Sequence, residues 1–318
     1  MSDVAGSLSG GFSARSATAA GTGPSPRQAC ERDGDLPEIL MVNLDSSPDR
    51  LAFQEAQFAL LGLPFTRISA VAGASIDEAF YRRMRASGAR ILRRNEVGCT
   101  LSHVACWRHC VQRGEPVVIF EDDVVIDPAF GSMLRELCPV AREADMLVNF
   151  ECHSRRKRVG AELGRTADGR FSLCDLLIGE GGTGGYYITP VVAARLLKLA
   201  ERRIYLADTH MNILAGVQYA QVSPAPVAQL MSFKDRDVAG SATQSVIGKG
   251  GARRPGSLSS FLRYPLTRLR RFELYLFSMR RKARAWRQSG GVPLKRSPRL
   301  EPARLAVLNR LRDLSTAS

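Results

Sequence analysis

The sequence predicts an α/β domain built on a largely parallel sheet. Three observations carry that prediction. Strand-length runs such as 39–42 and 117–120 are apolar at every position, as strands covered on both faces are. Segments of helical character alternate with them along the chain. The chain's 318 residues, 45% hydrophobic and 24% charged, suffice to bury a full core without disulfide or metal staples. The same composition excludes a fibrous or wholly disordered chain, and no apolar run approaches the ~18–20 residues of a bilayer span.

Residues 1–36 are rich in Ser, Gly, Ala and Thr without a hydrophobic period. They read as a disordered segment, and they lack the apolar stretch of a secretory signal. Order is expected from Pro37, in one domain reaching residue 235, followed by a linker over 236–256 and a helical tail over 257–318. Ile39-Leu40-Met41-Val42 reads as the first strand. Ser47 before Pro48 supplies a capping hydroxyl and a first-turn proline, so a helix should run from there to Leu61 and stop at Gly62. Phe65–Ile68 gives a second strand, and helices follow over about 76–86 and 96–112. Val117–Phe120 is a fully apolar strand that runs into Glu121-Asp122-Asp123. Strands at Met146–Phe150 and Tyr186–Ile188 and a helix at Val191–Ala200 continue the alternation.

The net charge of +14 is confined to one region. Residues 251–318 hold 17 Lys/Arg against 3 Asp/Glu, while the first 250 balance at 28 of each. In that tail Leu262, Leu266, Leu269, Phe272, Leu276, Met279, Ala283 and Trp286 recur at steps of three or four, with arginines between them. The pattern predicts a basic amphipathic helix suited to the headgroup layer of an anionic membrane. The alternative is a helix packed on its own domain with a solvated basic face. No nucleic-acid partner is expected, because no aromatic stacking motif lies on a sheet. Seven scattered cysteines favour reduced thiols in a cytoplasm.

Three consecutive carboxylates directly after a buried strand stand where open α/β sheets bind ligands. Clustering them costs repulsion that a hard divalent cation, Mg²⁺ or Mn²⁺, would relieve. The glycine-rich run 179–185 precedes a strand rather than a helix and lacks Gly-Lys-Ser/Thr. It is therefore neither a dinucleotide fingerprint nor a P-loop. A loop that lets backbone approach a ligand and an ordinary turn both remain open. Cys99, His103, Cys106 and Cys110 share one face of one helix. A straight helix does not converge four ligands on a tetrahedral ion, so buried thiols and a satisfied histidine are expected instead of zinc. Asp208, with His210 close by, is a further acid/base candidate.

Five ordered blocks carry a resemblance. They are Ile39–Asp45 with Asp49-Arg50, Phe65–Gly73, Asn95–His103 with Trp107, Phe120–Asp123, and Thr183–Ile188, with Asp208 beyond them. Together they resemble glycosyltransferase family 25, which includes bacterial lipooligosaccharide galactosyltransferases and collagen galactosyltransferases. Asn95 stands where the family most often has Gly, and Thr209-His210 follow Asp208 where an apolar residue is more usual. The resemblance implies a GT-A type nucleotide-diphosphosugar transferase. It would move a hexose, galactose before glucose, from a UDP-sugar to a hydroxyl of a lipid-linked or surface glycan, with inversion. It further implies a metal held by Asp123 with Glu121 or Asp122, one of those acids instead binding the donor ribose. Asn43, Asp49 and Arg50 would lie at the nucleotide, Gly184 and Tyr186 at the donor sugar. Asp208 would be the general base, with Glu96 in reserve, and His103 would order the supporting helix. Such an enzyme would work in the cytoplasm at the inner membrane face. The competing reading is a catalytically silent scaffold of the same fold that binds membrane or polyanion.

Overall fold

The computed structural model describes residues 36–151, 157–179, 182–230 and 265–288. Most of the expected N-terminal segment, the whole expected linker, and residues 257–264 and 289–318 of the expected tail lie outside the described residues.

Eight strands form the central sheet: β1 (Glu38–Asn43), β2 (Thr66–Ser69), β3 (Val117–Glu121), β5 (Met146–Asn149), β6 (Arg158–Arg165), β7 (Ser172–Ile178), β8 (Gly185–Ile188) and β9 (Gln218–Ser223). Their order is β2-β1-β3-β8-β5-β9-β7-β6. The expectation of a largely parallel sheet is corrected here. β1 pairs in parallel with β2 and β3, and β5 with β9, but β8 runs antiparallel to both its neighbours and β7 to both of its own. The β6–β7 hairpin escaped the sequence because β6 is a mostly exposed edge strand whose pairing shifts register three times. A second, two-stranded sheet pairs β4 (Val124–Ile126) with β10 (Val227–Gln229).

The apolar strands are buried on both faces. On one side Ile39, Met41, Val118 and Phe120 meet Phe58 of α1 (Pro48–Leu61) and Met133 and Leu134 of α4 (Phe130–Glu143). On the other side Leu40, Val42, Val117 and Ile119 meet Val104 and Trp107 of α3 (Arg94–Arg113) and Leu196 of α5 (Pro190–Arg202). Successive residues thus feed opposite cores, which is why the runs contain no polar position. α4 was not foreseen, since Pro139 interrupts its sequence signal.

The helix punctuation is largely as expected. Pro48 opens α1 and Gly62 closes it in the left-handed conformation, at φ 64°. The Ser47 hydroxyl makes no capping bond; the turn before α1 is held instead by Asn43 Nδ2, which donates to the Ser47 carbonyl at 3.1 Å. α2 (Glu78–Met84) is shorter than expected because Asp77 caps it, accepting from the Phe80 amide. α6 (Ala207–Asn212) follows α5. The last described element, α7 (Pro265–Gln288), lies against β7. A cavity of about 490 Å³ lies there, lined by Leu176, Tyr219, Phe277 and Arg281 among others, and by none of the sequence-predicted site residues. No described helix is long and apolar enough to cross a membrane.

Candidate active site at the carboxyl edge of the sheet

The carboxyl ends of β1, β3 and β5 and the start of β8 meet at one edge. β8 runs against its neighbours, so the loop that feeds it arrives between the ends of β3 and β5. That loop is the glycine-rich run. The Thr183 hydroxyl donates to Glu121 Oε1, and the Gly184 amide donates to Glu151 Oε2 at 2.9 Å. A Cβ on Gly182 would fall inside the Glu151 carboxylate, and one on Gly184 would stand 2.9 Å from Oε2. A side chain at either position would have to displace the Glu151 carboxylate, so the glycines let the backbone approach it this closely.

The three acids after β3 have different surroundings. Asp122 is buried, with Oδ2 accepting from Asn43 Nδ2 and Oδ1 from Arg50 Nη1, each at 2.8 Å. Both oxygens expected to serve a metal or donor are thus already engaged. Asn43 and Arg50, expected at the nucleotide, hold this carboxylate. Gln54 fixes the backbone beneath by donating to the carbonyls of Asp122 and Val124. Asp49, in the first turn of α1, is exposed.

Glu121 terminates a hydrogen-bond relay. Trp107 Nε1 donates to the Tyr186 oxygen at 2.9 Å, and the same oxygen is hydrogen-bonded to His103 Nδ1 at 2.9 Å. The other ring nitrogen, Nε2, faces Glu121 Oε1 at 3.2 Å. An ionised carboxylate only accepts, so Nε2–H is the donor to Glu121. Burial raises the Glu121 pKa, but the bonds from His103 and Thr183 and the positive neighbours outweigh it, and the net shift is downward. Tyr186 is wholly buried with its hydroxyl in the relay, so it supports His103 and does not border an open sugar site as expected. His103, expected to order the supporting helix, is hydrogen-bonded to Tyr186 and to Glu121 itself.

Asp123 is the least compensated of the three. Burial, then the charges of Glu121, Asp122 and Glu151, push its carboxyl up to about 8, with Arg50 at 3.9 Å opposing them. Its Oδ1 is buried and has no hydrogen-bond partner among the described residues. A hard cation is the partner whose chemistry suits such an oxygen among further carboxylates.

Glu151, just past β5, is the site residue that sequence reasoning missed. It is fully buried, and burial followed by the Glu121 charge lifts its carboxyl to about 7. Beside it the Lys157 ammonium donates to Asn149 Oδ1 at 2.8 Å, Gln221 Oε1 at 2.6 Å and the Glu151 carbonyl. The available signal was an acid immediately beyond an apolar strand, the feature that marked Glu121, here without acidic neighbours.

Asp208 lies in the first turn of α6, half-buried, where its charge acts on Glu151 and on the Cys99 thiol. It belongs to the same electrostatic neighbourhood as the acids of β3. Glu96 is occupied otherwise. Its carboxylate accepts from the Arg93 amide at the start of α3 and pairs with Arg90 at 2.8 Å. His210 is buried among the carbonyls of Arg203 and Leu206, and burial lowers its pKa to about 4, so it is neutral. Cys106 and Cys110 lie in the core, and the five described cysteines are free. Cys99, His103 and Glu121 do bring three ligand-type atoms within 4.8 Å of one another, but His103 and Glu121 are committed to the relay.

Fold and site together fit a glycosyltransferase domain: a large mixed sheet between helical layers, with buried acids and an arginine at its carboxyl edge. The chain belongs to glycosyltransferase family 25, whose model, described as glycosyltransferase family 25 (LPS biosynthesis protein), matches residues 36–211. Among similar proteins, "probable inactive glycosyltransferase 25 family member 3" of Bos taurus is 28% identical over 189 residues, which are 56% of this chain and 31% of that protein. "Inactive glycosyltransferase 25 family member 3" of Homo sapiens is 29% identical over 142 residues, 42% of this chain and 24% of that one. A "glycosyltransferase 25 family member" of Anopheles gambiae is 28% identical over 180 residues, 51% and 29% respectively. The chain thus spans less than a third of the length of these relatives.

Proposed function

We propose that the chain is a GT-A type transferase that moves a hexose, galactose in the first instance, from a UDP-sugar to a hydroxyl of a lipid-linked or surface glycan. The observation that carries this reading is the buried Asp123 Oδ1, without a hydrogen-bond partner among the described residues and surrounded by the carboxylates of Glu121, Asp122 and Glu151. Those residues fit a divalent ion, with Asp123 as principal ligand and Asp122 and Glu121 held behind it by Asn43, Arg50 and His103. Mn²⁺ or Mg²⁺ bound there would act as a Lewis acid toward the negative charge that grows on the departing diphosphate.

The chain's own residues do the rest. Arg50 adds fixed positive charge between Asp122 and Asp123. The loop 182–184 presents backbone to the donor side while its Thr183 and Gly184 bonds hold Glu121 and Glu151 in place. Asp208, half-buried on α6, takes the proton of the acceptor hydroxyl as the sugar is transferred with inversion. Glu96 is not carried into this role, because its carboxylate is engaged by Arg93 and Arg90. The working place is the cytoplasmic face of a membrane that bears the acceptor.

Two of the relatives are named inactive, which favours a silent scaffold as the second reading. Thermal unfolding with UDP and Mn²⁺ separates the two. A ligand at a hundred times its Kd raises stability by about 2.7 kcal/mol. The expected outcome is a metal-dependent rise in Tm that Asp123→Asn abolishes, together with UDP release from a UDP-hexose that falls by roughly 10²–10³-fold in that variant. No rise in the native chain would remove the transferase reading and leave the scaffold.

A further inference from the structure

α7 is docked on the domain by a mixed face, with Leu274 and Phe277 half-buried and Ala285 buried beside Arg270 and Arg281. Arg281 reaches inward, donating to the carbonyls of Asn212 at 3.1 Å and Leu176 at 3.2 Å, with its guanidinium over the Tyr219 ring at 4.8 Å. Thr267 and Ala285 are buried on the same side. Glu273, the helix's one acid, is held by Arg203 at 2.9 Å and Arg270 at 3.0 Å. At 100° per residue, Thr267, Arg270, Leu274, Arg281 and Ala285 form one stripe, and Leu269, Phe272, Leu276, Met279 and Trp286 form the opposite one.

The apolar stripe therefore points away from the protein. Ten large hydrophobic side chains are exposed among the described residues, and seven of them are on α7; Phe272 is 56% and Trp286 64% exposed. A helix that packs on its own domain normally turns this face inward. Here a charged side chain anchors the helix and the greasy row is left out, over five turns and without interruption. So large an ordered apolar surface marks an interaction site.

Charge decides the occupant. Arg268, Arg271 and Lys282 border the row on one side, and Arg280, Arg284 and Arg287 on the other, all of them exposed. A second copy of the helix packed along the row would bring these like-charged flanks together, where paired helices place opposite charges. A nucleic acid would engage the cations and leave the row in water. An anionic bilayer meets both features at once, accepting the row below its headgroups and the cations at their level. We propose that α7 lies in the surface of an anionic membrane with Leu269, Phe272, Leu276, Met279 and Trp286 inserted, and that Arg281 links it to the domain.

The test is flotation of the full chain with vesicles of phosphatidylcholine containing phosphatidylglycerol, against phosphatidylcholine alone. Native chain is expected to float with the anionic vesicles only. Phe272→Ser with Met279→Ser, and separately Arg271→Glu with Lys282→Glu, should each weaken that association by roughly tenfold or more, with an unchanged Tm. If the first pair lowers Tm, Leu276→Ser with Trp286→Ser replaces it on the same exposed row. The proposal is overturned if native chain does not float, or if the serine pair floats as native does. It is equally overturned if the serine pair instead converts a dimer to a monomer in sedimentation velocity, or if RNA rather than vesicles retains the chain. None of these readouts uses a sugar donor, so failure here leaves the transferase reading standing.

Discussion

The carboxyl edge of the sheet and helix α7 depart from the usual partition of polar and apolar groups in opposite directions. At the edge, Glu121, Asp122, Asp123 and Glu151 are carboxylates drawn out of water. On α7, leucine, phenylalanine and tryptophan are left in water while an arginine goes inside. Each arrangement costs stability in the isolated chain, and each is relieved by something that binds: a cation at the edge, an apolar layer at the helix. The difference lies in what holds each in place. Asp122, Glu121 and Glu151 are each held by hydrogen bonds from neighbouring elements, and Asp123 is the acid left for the ligand. α7 is fixed by few such bonds, so its docking can be altered with little effect on the domain.

The largest effect should come from removing the support of the edge. Lys157→Ala deletes the ammonium that serves Asn149, Gln221 and the Glu151 carbonyl, and leaves buried acceptors and a buried acid uncompensated. Denaturant unfolding should show a loss of about 3–5 kcal/mol. A loss below 1 kcal/mol would mean that the edge is not held as described. Next comes pH. Asp123 and Glu151 are raised to about 8 and about 7, above their ordinary values of 3.8 and 4.5. The folded chain therefore binds extra protons between about pH 4 and 8. The stability these groups contribute is complete below that window and lost as pH rises through it. Without divalent metal, Tm should fall from pH 5 to 8, and Asp123→Asn should flatten the curve and raise Tm at pH 8. An unchanged slope in the variant would refute the strain assigned to Asp123.

Tyr186→Phe is a smaller perturbation. It strands the Trp107 indole and His103 Nδ1 and should cost about 1–3 kcal/mol. Because the relay also orients His103 toward Glu121, metal-dependent stabilisation by UDP should weaken; a purely structural Tyr186 would leave that increment intact. Arg281→Ala should have the smallest global effect, near 1 kcal/mol or less, because α7 can detach as a local unit. Hydrogen exchange within 265–288 should nevertheless accelerate while β3 and β8 stay protected. Equal acceleration everywhere would erase the contrast between the two regions.

The sequence made these regions legible to different depths. Val117–Phe120 reads as a strand because both of its faces are covered, and the acids after it could be placed at the carboxyl edge by that fact alone. The glycine-rich run could be recognised as a loop before a strand, but its target could not. Which backbone atom meets which carboxylate depends on β8 lying antiparallel between β3 and β5, a long-range pairing with no local signature. Glu151 lacked an acidic cluster to flag it, and Lys157 is of a residue type that is almost never fully buried. For α7 the periodicity of Leu269, Phe272, Leu276 and Met279 specifies a stripe. Whether that stripe faces inward or outward is decided by Arg281 and its carbonyl partners, more than 60 residues away in sequence.

The chain contains two tryptophans, and they fall one in each region. Trp107 is sealed in the core, with its indole N–H at the head of the relay that ends at Glu121, while Trp286 stands exposed on the outer face of α7. Each is an optical reporter installed where one kind of ligand would act. Occupancy at the acids would alter the emission of a shielded fluorophore, insufficiently accessible for iodide to quench. Immersion of α7 in lipid would shift an exposed one to the blue and remove it from the quencher's reach. Trp107→Phe and Trp286→Phe would each silence one channel, so the two events could be timed separately in a single unlabelled protein.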